Sequence, residues 1–298
     1  MSRRRELESH RHALDEVRSI MNSMKTLAYM ETRKLARFVD AQRAVTESIE
    51  AVAADFLSFH PDTLPGADTA PPVYLLMGSE RGFCGDFNHA LVHRLDSIVD
   101  TQSSGKPILI VVGHKLHTLL EDDARVTARI DGASVAEEAT VVLGRIVSEL
   151  SSLQERHGML SVYGLYHGGD NEIVTQRLLP PFQDHLDRPP QYTHPPVLNL
   201  SPAGFLIELT EHYLFAALHA MLYASLTAEN HNRISHLEGA IRYLDDGSNE
   251  LARKCNALRQ EEIIEEIEVI LLSADSLQEG LQGQPASGAA GPPVKHDG

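Results

Sequence analysis

Apolar residues recur every three and four positions through the first sixty residues of the chain. When the chain is divided into heptads, one row of equivalent positions holds Leu14, Met21, Ala28, Leu35, Gln42, Ile49 and Phe56. The second row reads Val17, Met24, Glu31, Phe38, Val45, Val52 and Phe59. Twelve of these fourteen positions are apolar, and no glycine or proline interrupts residues 1–60. The period of 3.5 predicts one long helix with a coiled-coil seam, although a helix in a globular bundle uses the same pattern.

A second long apolar pattern lies towards the other end of the chain. Residues 205–228 are apolar nearly all round, which is typical of a helix packed within or between domains. Beyond Glu229 the apolar positions narrow to a stripe that runs from Ile234 to Leu277, with a slip of one residue after Leu258. We expect this helix to run antiparallel to the first and to wind with it, because the two enter and leave the same central domain.

The segment between the two helices is rich in chain-breaking residues. Residues 61–202 hold 12 of the 15 prolines and 12 of the 20 glycines. Short apolar runs at 73–77, 106–113 and 159–166 alternate with helical stretches, which predicts an open α/β sheet. The predicted fold class is therefore α/β, with long N- and C-terminal helices in an antiparallel coiled coil. The predicted divisions are a coiled-coil helix 1–60, a central α/β domain 61–204, a long helix 205–280 paired with the first, and a disordered tail 281–298.

Charge and composition exclude several classes of protein. The net charge of −16 disfavours a nucleic-acid partner, because phosphate backbones require a basic surface. Residues 1–40 nevertheless carry nine Lys and Arg against six Asp and Glu, so this end suits an acidic partner. The charged N-terminus resembles no secretory signal. The most apolar stretch, 214–228, includes His219 and is too short to span a membrane, so we expect no transmembrane segment.

The loop 78–88, GSERGFCGDFN, is the sharpest local motif. A glycine-rich turn between a strand and a helix is able to bind phosphate on backbone N–H groups, but this one lacks the lysine and hydroxyl of a P-loop. Cys84 as a nucleophile has no general base at a known spacing. The favoured interpretation is a structural turn made by Gly82 and Gly85 around Cys84, anchored by Phe83 and Phe87.

Two histidine pairs have the spacing of metal ligands on a helix. His89 and His93 are four residues apart, and His114 and His117 are three apart. Neither pair has an obvious third ligand nearby, and Cys84 and Cys255 lack the spacing of a metal site. We therefore expect solvated histidines, with no bound metal and no cofactor.

Three blocks of sequence resemble the gamma subunit of rotary ATP synthases. The stretch 20–28, IMNSMKTLA, is similar to the family's I-T-x-A-M-K-x-V-A. The loop segment 79–88, SERGFCGDFN, is similar to S-D-R-G-L-C-G-x-F-N, which is a specific signature. Towards the C-terminus, 224–229 (ASLTAE) and 256–260 (NALRQ) resemble the beginning and a later motif of the family's long helix. The helix between them keeps Arg233 and little else of the family pattern, which is typical of a divergent branch.

The resemblance implies a central rotor stalk that couples ion translocation to ATP synthesis or hydrolysis and has no catalytic residue of its own. The implied partners are the alpha and beta subunits of the head, the epsilon subunit and the ring of c subunits, with no nucleic acid and no small-molecule substrate. By resemblance, Met24, Lys25, Arg259 and Gln260 contact the beta subunits. The implied location is peripheral, on the cytoplasmic face of a bacterial plasma membrane.

Two other classes of protein remain open at this point. One is a coiled-coil scaffold without a rotary partner, in which the long helices of two chains associate. The other is an α/β enzyme that uses the 78–88 loop as a phosphate or thiol site. Self-association of the helices would favour the scaffold, and nucleotide binding by the chain alone would favour the enzyme.

Overall fold

The computed structural model describes residues 3–64, 71–101, 106–169, 172–183 and 193–282, with backbone alone for residues 101 and 274–282. Five strands form: β1 Pro72–Met77, β2 Ile108–Val112, β3 Val126–Ile130, β4 Ser161–His167 and β5 Ile173–Leu179. Five α-helices form: α1 Arg3–Phe59, α2 Phe87–Thr101, α3 His114–Leu119, α4 Ala139–His157 and α5 Pro202–Gln282. The part of the predicted disordered tail beyond residue 282 lies outside the described residues.

The chain divides into two compact units. Unit 1 comprises Met1–Ser19 and Arg242–Gly298, and unit 2 comprises Ile20–Ile241. The long helices α1 and α5 each contribute to both units. The predicted division into 1–60, 61–204, 205–280 and 281–298 remains a prediction.

Unit 2 contains a five-stranded mixed sheet with the strand order β3-β2-β1-β4-β5. Strand β1 pairs in parallel with β2 and β4, β2 pairs in parallel with β3, and β5 is antiparallel to β4. The α/β prediction is confirmed, but β3 and β5 are not among the predicted strands. Both are edge strands with polar residues among the apolar ones, so neither shows the continuous apolar run of a central strand.

Helices cover both faces of the sheet. Along β1, Val73, Leu75 and Met77 point to one face and Tyr74 and Leu76 to the other, as the period of a strand requires. The first face packs against α4, α1 and the beginning of α5, and the second packs against α2 and α3. Much of the apolar character of residues 205–228 thus comes from burial against the sheet and α1, although Ile207 and Phe215 are more than half exposed.

Within unit 2, residues of the first heptad row on α1 are buried, whereas residues of the second row are partly exposed to solvent. Ala28, Leu35 and Phe56 of the first row are buried, whereas Val45 and Val52 of the second row are more than 40% exposed. Glu31, a polar break in the stripe, has a structural purpose: its carboxylate accepts a hydrogen bond of 2.7 Å from the backbone N–H of Ala136.

Unit 1 is formed by the beginning of α1 and the latter part of α5. Arg4 forms an ion pair with Glu262 at 3.0 Å, and Arg18 forms one with Asp245. Between them, the hydroxyl of Ser248 donates to the carboxylate of Asp15 at 3.1 Å. Residue numbers on α5 fall as those on α1 rise, so the two helical segments contact each other in opposite directions within this unit.

Beyond these contacts α5 exposes a long apolar surface. Seven aliphatic residues between positions 263 and 272 are each at least 46% exposed: Ile263, Ile264, Ile267, Val269, Ile270, Leu271 and Leu272. Among the residues described, none of the helices combines the length and the hydropathy needed to cross a membrane.

Candidate functional site

The loop between β1 and α2 begins at a glycine that no other residue can replace without a rearrangement. The N–H of Gly78 donates to the carbonyl of Val112 at 2.9 Å. A Cβ on Gly78 would lie 2.4 Å from the Cβ of Leu116, which has no freedom to rotate away. The absence of a side chain therefore allows the loop to leave the sheet against α3.

The two ends of the loop are closed by a reciprocal pair of hydrogen bonds. Asn88 accepts from the backbone N–H of Ser79 through its side-chain oxygen and donates to the hydroxyl of Ser79 through its amide, both at 2.9 Å. Ser79 is buried, and its carbonyl accepts from the N–H of Lys115 at 3.0 Å. These hydrogen bonds fix the two ends of the loop against each other and against α3.

A buried ion pair on α5 contacts the middle of the loop. Glu229 and Arg233 are four residues apart, pair with each other, and are about 95% removed from solvent. The Glu229 carboxylate accepts from the backbone N–H groups of Glu80 and Arg81, both at 3.2 Å. The first half of the loop is thereby attached to the long helix through main-chain hydrogen bonds.

Arg233 makes the complementary contacts to the second half of the loop. Its Nε donates to the carbonyl of Gly82 at 3.1 Å, and one terminal nitrogen lies 3.4 Å from the sulfur of Cys84. The other terminal nitrogen donates to the side chain of Asn230 at 2.9 Å. The planar guanidinium thus binds helix and loop together.

Burial raises the pKa of Glu229 above its ordinary value, and Arg233 together with the two backbone N–H groups opposes that rise. Removing two charges from water is unfavourable unless their hydrogen bonds are satisfied, as they are here. The arrangement is therefore sensitive to the loss of either partner, because the remaining charge would be buried alone.

Cys84 does not have the environment of a nucleophile. Burial raises the pKa of its thiol to about 12, an effect that Arg233 only partly offsets. The sulfur also lies 3.3 Å and 3.4 Å from the carbonyl oxygens of Arg81 and Gly82, which are the two acceptors within reach of its single S–H proton. A thiol with this pKa stays protonated at neutral pH, whereas nucleophilic cysteines act as thiolates.

Three backbone donors at the start of the loop already have partners within the protein. The N–H of Ser79 is bound by Asn88, and those of Glu80 and Arg81 are bound by the carboxylate of Glu229. A carboxylate that occupies the anion position of the turn competes directly with a phosphate. At these three residues, the loop makes the contacts of an attachment to α5 and not those of a phosphate site.

The conformation of the turn differs in part from the expectation. The left-handed φ angles fall at Phe83 and Gly85, at 64° and 61°, and Gly82 is not among the residues with positive φ. Phe83 is 46% exposed, so the expectation that it anchors the turn is wrong. Phe87 is buried and stacks on His167, with ring centroids 3.8 Å apart.

Glu229 and Arg233, the partners of the loop, are not among the site residues predicted from the sequence. A signal was present, because two opposite charges four residues apart interrupt an apolar helix at 229 and 233. The two charges lie almost 150 residues from the loop along the chain, so the sequence does not indicate that they contact it.

The residues assigned to partner contacts by resemblance lie on the long helices. Met24 and Lys25 belong to unit 2 and are partly exposed, and Lys25 lies 3.7 Å from Glu238. Arg259 and Gln260 belong to unit 1, and both are exposed.

The structure corrects the analysis of one histidine pair. Asp131 lies beside His114 and His117, and the ligand atoms of the three residues are all within 4.8 Å of one another. The statement that this pair lacks a third ligand is wrong, because Asp131 follows a neighbouring strand and is distant only in sequence. Among the described residues, His89 and His93 belong to no such group.

Comparison with known proteins gives one consistent family. The sequence profile of the ATP synthase family matches residues 3–277. A protein of Frankia casuarinae named ATP synthase gamma chain is 26% identical over 293 residues, which cover 93% of this chain and 98% of the relative. The ATP synthase gamma chain of Clostridium botulinum (strain Langeland / NCTC 10281 / Type F) is 22% identical, with 89% and 94% covered.

Solved structures show the same fold. A chain of the Euglena gracilis mitochondrial ATP synthase (OSCP/F1/c-ring, rotational state 3) has a TM-score of 0.59 at 15% identity, covering 96% of this chain and 98% of its own. A chain of the Tetrahymena thermophila mitochondrial ATP synthase central stalk and c-ring has a TM-score of 0.55 at 16% identity, covering 74% of this chain and 99% of its own.

The fold and the loop attachment define a sheet domain fastened to a pair of long helices. The chain belongs to the ATP synthase family, within which its named relatives are gamma chains.

Removal of one member of the buried pair should unfold the chain more readily. Arg233→Met leaves the Glu229 charge buried without its partner, and we expect it to lower the free energy of unfolding by about 3–5 kcal/mol. Glu229→Gln combined with Arg233→Met should lose less than the sum of the two single variants, since no lone charge remains. Urea unfolding of the full chain measures all three.

Arg253→Met is the matched control, because Arg253 is an exposed arginine on the same helix. Its effect should stay within about 0.5 kcal/mol. A loss for Arg233→Met that is no larger than this would contradict the attachment described above.

The Cys84 thiol should be unreactive in the folded chain. Its pKa of about 12, against 9.0 for an ordinary thiol, lowers the thiolate fraction at pH 8 by about a thousandfold. We expect iodoacetamide to alkylate Cys84 at least a hundredfold more slowly in the folded than in the unfolded chain, measured in a Cys255→Ala variant. The preference for the neutral thiol stabilises the fold fully below about pH 9 and is lost as the pH rises towards 12.

A structural Cys84 also predicts the behaviour of an assembled complex. Cys84→Ser should keep ATPase activity within a few-fold of wild type, because no bond to substrate is lost. A drop of several orders of magnitude, as expected for loss of a nucleophile, would favour the enzyme hypothesis.

Proposed function

We propose that this chain is the central rotor stalk of an ATP synthase and couples ion translocation through a membrane ring to ATP chemistry in a surrounding head. The observation that carries the proposal is the family match over residues 3–277, which includes both long helices and the sheet domain. The relatives named ATP synthase gamma chain are matched over almost their whole length, so the proposal concerns the entire subunit.

The α1 and α5 helices form an antiparallel coiled coil in this proposal. Contacts within unit 1 support it, since Arg4, Asp15 and Arg18 meet partners of descending number on α5. Within unit 2 the ion pair of Lys25 with Glu238 continues the same descending order. Two paired helices resist bending and twisting better than one, which suits a shaft.

The exposed aliphatic surface at 263–272 supports the proposal that another protein encloses this part of α5. An exposed apolar stretch of this extent on a soluble domain marks a surface that another protein covers. We assign the covering partner to the alpha and beta subunits of the head, which surround the end of the shaft. Apolar contacts suit a rotating surface, because they are non-directional and do not fix one angle.

The mechanism requires no catalytic group on this chain. A shaft that is not symmetric makes different contacts with each surrounding beta subunit, and a partner's equilibrium shifts only by such differences in contact energy. Rotation of the shaft moves the favoured conformation from one beta subunit to the next. ATP turnover and rotation are thereby coupled through one rigid element.

Met24, Lys25, Arg259 and Gln260 are proposed as contacts to the beta subunits. Arg259 and Gln260 are exposed, and a guanidinium is able to bind and release carboxylates without a change of charge. Lys25 already has Glu238 at 3.7 Å, so a beta-subunit carboxylate would have to compete with this exposed pair. Gly82, Cys84 and Gly85 are proposed as a purely structural turn.

The sheet domain is proposed to contact the epsilon subunit and the ring of c subunits. The chain would then be a peripheral component on the cytoplasmic face of a bacterial plasma membrane, held there by its complex. The Glu229–Arg233 attachment supports this arrangement, because torque between ring and head must pass from the domain into α5.

The coiled coil predicts a cross-link within one chain. Cysteines at Asp15 and Ser248, whose side chains lie 3.1 Å apart, should be joined by a short bifunctional thiol reagent. The joined product should run as a single chain with altered mobility on denaturing electrophoresis. Cysteines at Ser23 and Ser48 serve as the control pair, because both lie on α1 within unit 2, where about 37 Å of helix separates them at about 1.5 Å per residue. Products that join two chains exclusively would favour the scaffold.

The proposed contacts of Arg259 and Gln260 with the beta subunits predict that their loss weakens the coupling of ATP hydrolysis to ion pumping. Replacement of Arg259 and Gln260 together by alanine removes two exposed polar groups, so the chain should fold and assemble normally. ATP hydrolysis or ATP-driven ion pumping by the reconstituted complex should fall by several-fold, because each lost contact is worth at most a few kcal/mol.

Arg43→Ala is the control for this experiment, since Arg43 is an exposed arginine of α1 that forms an ion pair with Glu47 on the same helix. It should leave hydrolysis and pumping unchanged. If the Arg259 and Gln260 variant assembles and also behaves as wild type, these two residues are not the contacts. Failure of the wild-type chain to assemble with alpha and beta subunits would contradict the rotor itself.

A further inference from the structure

Three metal-ligating side chains meet at the edge of the sheet where β2 and β3 end. His114 and His117 lie on α3, directly after β2, and Asp131 follows β3. Their ligand atoms all lie within 4.8 Å of one another. Parallel neighbouring strands bring their carboxyl ends to the same edge, which explains how residues from two loops converge.

A carboxylate holds the two loops in position. One oxygen of Glu80 accepts from the backbone N–H of His114 at 2.9 Å and from that of Gly132 at 2.6 Å. The N–H of Gly113 also donates to the carbonyl of Ile130 at 2.9 Å. The backbones that carry the three side chains are therefore fixed relative to each other before any ion binds.

A hydrogen bond of His117 determines which of its two ring nitrogens is available to bind a metal. Nε2 of His117 lies 3.1 Å from the carbonyl oxygen of Val111. A carbonyl only accepts, so Nε2 carries the proton and Nδ1 keeps a lone pair. Metal-bound histidines have this same arrangement, with the second ring nitrogen donating to a backbone carbonyl or a carboxylate.

The existing contacts of the other two ligands are weak. The ring of His114 has an edge contact with that of His117, with centroids 6.4 Å apart. Asp131 lies 3.7 Å from Arg145, and both side chains are more than half exposed. Exposed ion pairs of this kind contribute little, so an ion would displace Arg145 without a large penalty.

We propose that His114, His117 and Asp131 bind one divalent transition-metal ion, with Zn²⁺ as the probe. Two imidazoles and one carboxylate form a donor set that zinc accepts at about 2.0–2.2 Å, with water in the fourth position. The exposed side chains of His114 and Asp131 are free to rotate towards the ion. Bound metal would tie the loops after β2 and β3 together beside Glu80.

Calorimetric titration of the full chain with Zn²⁺ tests the proposal. The chain should carry no histidine tag and should first be freed of metal with a chelator. We expect one ion per chain at this site, and His114→Gln and Asp131→Asn should each weaken binding about tenfold or more. Neither change removes a described hydrogen bond of the fold, and circular dichroism verifies that the variants are folded.

His93→Gln is the matched control, because His93 lies on α2 in the second histidine pair and belongs to no three-residue group among the described residues. It should leave Zn²⁺ affinity unchanged. Co²⁺ in place of Zn²⁺ should give a visible absorption band in wild type that His114→Gln removes. Binding that is absent from wild type, or that His114→Gln and Asp131→Asn leave unchanged, would overturn the proposal.

Discussion

The buried pair of Glu229 and Arg233 is the interaction on which the organisation of unit 2 depends. It joins a helix of 81 residues to a loop almost 150 residues earlier in the sequence. Each partner satisfies the other's charge and also binds main-chain groups of the loop, so that neither charge is buried alone. Apolar packing alone would hold the sheet against α5 but would not define one position, because it is non-directional. The hydrogen bonds supply that direction.

The same loop connects the attachment to the rest of the sheet. Glu80 contacts the helix through its N–H and the loops after β2 and β3 through its carboxylate, so one residue links α5 to three strand ends. Gly78 allows this path, since a side chain there would collide with Leu116. In the proposed rotor, a force applied to the sheet domain reaches α5 through these fixed contacts rather than through a flexible connection.

The glycine-rich loop illustrates how one motif suits two opposite functions. Backbone N–H groups that converge in a turn are able to bind phosphate, and here they bind the carboxylate of Glu229 instead. The same burial that makes this contact raises the pKa of Cys84 and keeps its thiol protonated. The Glu229 carboxylate thus occupies the position of a bound phosphate and attaches the loop to α5. The sequence motif alone does not distinguish a phosphate-binding loop from such an attachment.

The sequence by itself determined the long helices, the α/β class and the family. The apolar patterns of 1–60 and 205–280 and the clustering of glycine and proline between them are local properties, and local properties are readable along a chain. The edge strands β3 and β5, the partners of the 78–88 loop and the approach of Asp131 to His114 and His117 were decided by the tertiary structure alone. Each of these depends on which strands lie side by side, and pairing over long sequence distances leaves no periodic signal in the residues that it brings together.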